Sequence, residues 1–261
     1  MTTGLLSLSI KDLSATTALA ALTALLAVLP SPVQAVTLVT NRAALAGNDQ
    51  VDWSSLGAAA PFNFLPNSFG ATSVGGLGLS IEIPRITGLT PPFVFQTLPP
   101  PGIPTNFANG DFILFTGFIP GPPPTVGNPG PLNISFDTPV RGVGAQIAVD
   151  DTPEFTAFIS AFDNANNLLG TFSAPGTSSL ALDNSALFLG VSSDTPNISR
   201  LVFSTSRPNR AVAINTLSLA TVAVAVPEPA SSLALLAFGT LGAGFIFKRK
   251  LIIPHTIDTQ I

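Results

Sequence analysis

The chain has no cysteine and no tyrosine, and its 261 residues include one histidine and one tryptophan. Without Cys there is no disulfide, no thiolate nucleophile and no Cys-ligated zinc. The histidine, His255, lies close to the C-terminal end, so the middle of the chain holds neither His nor Cys. That removes Ser-His-Asp and Cys-His nucleophilic sites there, together with His-ligated transition metals. Positive charge is scarce as well. Lysine occurs only as Lys11, Lys248 and Lys250, while Arg42, Arg85, Arg141, Arg200, Arg207 and Arg210 stand singly through the middle. With a net charge of -4 and no basic stripe to displace counterions, nucleic acid is excluded as a partner. Gly75-Gly76-Leu77-Gly78 has no Lys and no following helix, so no phosphate loop is present.

The two ends carry addresses. Residues 15–29 (ATTALAALTALLAVL) form an apolar run too short for a confident span, closed by Pro30 and followed by SPVQA. Small residues at Val33 and Ala35 predict cleavage by signal peptidase after Ala35, giving a signal peptide over 1–35 and a mature chain from Val36. An uncleaved signal anchor is the alternative. Near the other end, Pro227-Glu228-Pro229-Ala230-Ser231 precedes an apolar run over 232–247 and the trio Lys248-Arg249-Lys250. At about 1.5 Å per residue that run covers roughly 25 Å, slightly short of a hydrocarbon core, and snorkelling of the basic trio makes up the difference. Positive charge directly after the span holds 251–261 in the cytoplasm as a tail and leaves Pro-Glu-Pro outside.

Between these ends, residues 36–226 read as one all-β ectodomain. From Thr37 to about Pro131 short strand pieces are expected, among them 79–83 and 111–118, and because Pro91-Pro92, Pro99-Pro100-Pro101 and Pro122-Pro123-Pro124 fix φ and remove donors, 91–131 is expected to hold Pro-rich loops at strand edges. From Leu132 onward the period is two. Leu132, Ile134 and Phe136 alternate with Asn133 and Ser135, and Val143, Ala145, Ile147 and Val149 with Gly144, Gln146 and Ala148. Residues 155–162 and 168–172 flank Asp163-Asn164-Ala165-Asn166-Asn167, which predicts a hairpin. Further strands are expected over 185–191, 200–205 and 211–219. A phase shift between Ile214 and Leu217 predicts a bulge at Asn215-Thr216. Short strands with turn signals at regular intervals predict an antiparallel β-sandwich of jelly-roll type.

Motif, span and basic stop, in that order and spacing, resemble the PEP-CTERM sorting signal. The resemblance implies recognition and cleavage near Pro227, Glu228 and Pro229 by an exosortase-type membrane protease, with Lys248, Arg249 and Lys250 as the stop. It also implies an inner-membrane precursor with its ectodomain outside, then delivery to the cell surface or extracellular matrix, often alongside exopolysaccharide. The segments FDTPVRGVGAQI (136–147), AFDNANNLLGTFSA (161–174), LFLGVSSDTPNISRLVFS (187–204) and AINTLSLA (213–220) look like ectodomains common in such proteins, which resemble jelly-roll carbohydrate-binding modules. These often carry Asp in the final strand where this chain has Asn215, which makes Asn215 a ligand candidate by resemblance.

Carboxylates are the chemistry that remains. Asp150, Asp151 and Glu154 could offer oxygens to Ca²⁺ or a pair of acids for glycoside hydrolysis, against the plainer reading as a solvated turn beside Pro153. Trp53 is the one aromatic with a polar edge and so the one sugar-stacking candidate, against packing in the core. The leading expectation is a non-enzymatic structural or adhesive surface protein without a cofactor. A carbohydrate-binding module and a carboxylate-based glycan hydrolase are the alternatives.

Overall fold

The computed structural model describes residues 36–57, 61–97, 102–121, 124–151 and 154–222. The signal segment with its Ala35 cleavage site, the Pro-Glu-Pro motif, the span 232–247 and the basic trio lie outside the described residues. Among the described residues every regular element but two short 3-10 turns, Ala43–Leu45 and Trp53–Leu56, is a strand. In chain order the strands are β1 (Thr37–Val39), β2 (Asp49–Val51), β3 (Phe62–Phe64), β4 (Ser68–Thr72), β5 (Gly78–Glu82), β6 (Phe93–Gln96), β7 (Phe112–Phe115) and β8 (Leu132–Val140). There follow β9 (Gly142–Val149), β10 (Glu154–Phe162), β11 (Leu168–Thr177), β12 (Leu187–Ser192), β13 (Ile198–Thr205), β14 (Val212–Ile214) and β15 (Leu217–Ala220).

They form two antiparallel sheets. One runs β11-β10-β13-β8-β5-β4; the other runs β1-β12-β9-β14-β7-β6-β3, with β15 continuing along β9 and pairing β2. The inward residues follow the period of two. Ile81, Ile134, Ile159, Leu201 and Phe203 of the six-stranded sheet share one core with Val94, Leu114, Val143, Ile147, Leu189 and Val212 of the other, so the sheets pack face to face. Each such side chain contributes about 1.5–3 kcal/mol on burial. Among the described residues all strand partners lie between Thr37 and Ala220.

The expected hairpin is present as β10 and β11, and β11 runs on to Thr177, beyond the expected end. Asp163 builds its turn: Oδ1 accepts from the backbone N–H of Ala165 (2.9 Å) and Asn167 (2.8 Å), which lets Asn166 take φ 64°.

The Pro-rich segment also holds β6, a strand apart from the expected pieces at 79–83 and 111–118, inside the larger sheet between β7 and β3. The prolines flank β6 rather than interrupt it, so its ladder donors survive. Val94 and Leu114 point into the sandwich, whereas Phe93, Phe95, Ile113 and Phe115 point to the opposite face. There they build a second core with Phe107, Ala148, Ala211 and Ala213, beneath the loops that join these strands. Two buried polar residues pin that cover. Thr116 Oγ1 donates to the Asn128 carbonyl (2.6 Å) and accepts from Val212 N–H (2.8 Å), while Asn128 Nδ2 donates to the Pro84 carbonyl (2.8 Å). Gly117 turns the chain after β7 with φ 107°, where a Cβ would collide with the Thr90 carbonyl.

Candidate ligand cavity and the polar cluster at Asn215

The final strand breaks where the phase shift placed it. Val212–Ile214 pairs with 147–149 of β9 and 218–220 with 142–144, and between them Asn215 and Thr216 belong to neither strand, with Asn215 N–H alone still donating to the Gln146 carbonyl (3.2 Å). The Asn215 side chain takes over the missing bonds. Its Oδ1 accepts from Gln146 N–H (3.0 Å) and from Arg42 Nη2 (2.9 Å). Its Nδ2 donates to Asp111 Oδ2 (2.9 Å) and Gln146 Oε1 (2.6 Å). Arg42 Nη1 also donates to the Thr216 carbonyl (3.1 Å) and to Ser218 Oγ, and its guanidinium lies over the Phe188 ring at 5.2 Å. Burial lowers the Arg42 pKa from its ordinary value, with Asp111 acting in the opposite direction.

Both donors and both amide acceptor directions of Asn215 are thus spent, and the residue is 3% exposed. It joins strands rather than presenting itself to a ligand. Trp53, the sugar-stacking candidate, is 0% exposed, and its indole Nε1 donates to the Asn215 carbonyl at 2.8 Å. Asp52 starts its turn by accepting from Ser54 N–H (2.9 Å), which aims the indole inward. No glycan can stack on a ring with no exposed face.

Asp150 and Asp151 follow β9 and converge on Thr125 of the Pro-rich cover. Thr125 Oγ1 lies within hydrogen-bond reach of both carboxylates, at 2.8 Å from Asp151 Oδ2, and Thr125 N–H donates to the same oxygen (2.7 Å). Arg210 donates to the Thr125 carbonyl. Asp151 reaches this position with φ 53°. Burial pushes the Asp150 carboxyl above its ordinary value and neighbouring Asp151 adds to it, while Thr125 and Arg210 pull it down. Glu154, the third member of the expected cluster, starts β10 beside a shallow depression with Thr156, Pro175, Ser206 and Arg207. Among the described residues no three acidic side chains gather as a metal-holding group.

The Asp150-Asp151 corner forms one end of a cavity of about 580 Å³ on the outer face of the larger sheet. Its floor is Ala148 and Ala213, and its walls include Phe93, Phe95, Phe107, Phe115 and Phe118. The rings meet edge to face, Phe115 with Phe118 at 5.9 Å and 89° and Phe62 with Phe93 at 4.8 Å and 68°. Asn106 lines the cavity too. It is 1% exposed, and its Nδ2 donates to the Thr177 carbonyl (2.8 Å) while Oδ1 has no hydrogen-bond partner among the described residues. The available sequence signal for the phenylalanine walls was Phe93-Val94-Phe95, which puts rings on one face and a smaller residue on the other.

The family model for the PEP-CTERM protein-sorting motif matches residues 225–250. No curated protein matches the chain. Among solved structures, a DUF4465 family protein from Bacteroides caccae aligns with TM-score 0.41 and 13% identity, over 66% of this chain and 99% of that one. CsCBM6-3 from Clostridium stercorarium, solved in complex with cellobiose, aligns with TM-score 0.22 and 12% identity, over 67% of this chain and 95% of that one. The enzymatically active domain of tailspike protein 4 from bacteriophage CBA120 aligns with TM-score 0.28 and 15% identity, over 64% and 20% respectively.

Proposed function

We propose that this chain, which carries the PEP-CTERM sorting motif at 225–250, is an exported protein with a non-enzymatic structural or adhesive β-sandwich, delivered to the cell surface or matrix. The motif implies processing by an exosortase, a membrane protease, from a membrane-anchored precursor. The observation that carries the reading is the position of the match: it begins at 225, just after the last described strand ends at Ala220, so the motif follows the described β-sandwich instead of interrupting it. Within the signal, Pro227, Glu228 and Pro229 are the recognised segment, and Lys248, Arg249 and Lys250 hold the precursor in the membrane. Association with exopolysaccharide belongs to the same proposal.

The enclosure of Trp53 takes the one polar-edged aromatic away from the sugar-binding alternative. For the hydrolase alternative, Asp150 and Asp151 share one hydroxyl partner instead of facing each other across a groove, as paired glycosidase acids do. The sorting reading is tested by replacing Pro227, Glu228 and Pro229 with Ala in the native host and fractionating the cells. Retention of full-length precursor in the inner membrane is expected. Undiminished surface delivery would overturn the reading.

A further inference from the structure

We propose that the cavity between the larger sheet and its Pro-rich cover is a binding site for a small molecule with an apolar body and a hydrogen-bond-donating head, an alkyl or aryl amine or alcohol. This goes beyond the sorting reading and does not depend on it. The space is built by the pattern of the strands. At positions 148 and 213 the outer face carries alanine, while the neighbouring positions 93, 95 and 115 carry phenylalanine. Small floor residues ringed by large rigid walls leave a hollow of about 580 Å³. Since a water occupies about 30 Å³ of liquid, that volume suits a ligand of roughly 15 to 20 non-hydrogen atoms.

The polar inventory selects the head. Asp150 and Asp151 accept, and the one proton of Thr125 Oγ1 is offered to both, so it cannot satisfy both at once. Ser178 Oγ is already accepting from Val149 N–H (2.9 Å). The hydroxyls of Ser178 and Ser179 keep an O–H to donate, so charge selects the head: the two carboxylates only accept, and a ligand that brings N–H or O–H matches them where another carboxylate would be repelled. Phe rings offer no hydrogen bonds, so a saccharide would bury hydroxyls against them without partners, whereas an aliphatic or aromatic body meets no such penalty. Leu180, 71% exposed, lines the same cavity, as an entrance residue would.

The test uses the unit 36–222 and N-phenyl-1-naphthylamine, a neutral apolar fluorophore with one N–H. Saturable one-site fluorescence enhancement is expected, reversed by decylamine at about a tenth of the decanoate concentration needed. Ala213→Leu, which fills the floor, should weaken the fluorophore at least about tenfold while the melting temperature holds. If that variant fails to fold, Ala148→Leu from the adjacent strand serves in its place, and the amine-to-acid ratio is read on the unaltered protein. The inference is overturned by dye binding that survives filling of the floor, by decanoate competing as well as decylamine, or by displacement with cellobiose.

Discussion

The indole Nε1 of Trp53 donates to the backbone carbonyl of Asn215 at 2.8 Å, across 162 positions of sequence. The bond explains why the last strand can be broken inside the sheet. Asn215 N–H still donates to the Gln146 carbonyl (3.2 Å), while its own carbonyl is met by the buried indole and its side chain bonds β9 and Asp111. A buried acceptor without a partner costs about 1–3 kcal/mol, so Trp53→Phe should lower unfolding free energy by at least that amount in urea titration. An unchanged midpoint would mean that the indole bond contributes nothing.

The amide of Asn215 is also the reason this position is not carboxylate. Nδ2 faces two acceptors, Asp111 Oδ2 and Gln146 Oε1. Asn215→Asp would set acceptor against acceptor beside a second carboxylate, with Arg42 offsetting part of the charge, and should cost about 2 kcal/mol at neutral pH. Adding Asp111→Asn restores one donor to the contact. A double-mutant cycle should therefore show the second change recovering about 1 kcal/mol or more when it is made together with Asn215→Asp. Additive costs would contradict the pairing.

The raised Asp150 carboxyl fixes the sign of a pH effect. Its folded form holds the proton more tightly than the unfolded chain does. The stabilisation is fully present below the unfolded carboxylate range and is lost as pH rises through the folded value. Asp150→Asn mimics the protonated state at every pH. Its melting temperature should exceed that of the unaltered protein by an amount that grows as pH rises through and above the ordinary carboxylate range, and a gap that shrinks as pH rises would contradict the burial argument.

Calcium should have little effect. Thr125 already donates to Asp151, and Glu154 sits against a different depression from the pair. Millimolar Ca²⁺ is expected to leave the thermal midpoint of the unit 36–222 in place. A rise of several degrees that disappears in Asp150→Ala would show that the corner binds the ion.

Much of this arrangement is legible in the chain. Period-two alternation marks β8, β9 and the β10-β11 hairpin because one face of each meets the core and turn chemistry bounds them. The slipped phase at Asn215-Thr216 locates the break for the same reason. Strand β6 escapes notice because both its faces are apolar, Val94 inward and Phe93 and Phe95 under the cover, so alternation vanishes amid prolines. The three-residue strands β1, β2 and β3 are too short to carry a period. Of the candidate residues, Asp150 and Asp151 do share one corner, but their bridging partner Thr125 lies 25 positions from Asp150 and no spacing announces it. Asn106 likewise gains its meaning only from its burial beside Phe107 and the Thr177 carbonyl.

The sorting account is tested most directly by intact-mass analysis of the protein recovered from the surface fraction of its own host. Processing at both ends predicts a species that begins at Val36 and ends within or next to Pro227-Glu228-Pro229, without residues 232–261. A surface species whose mass still includes the span through Phe247 and the basic trio would contradict it, and would make the chain a permanently anchored membrane protein.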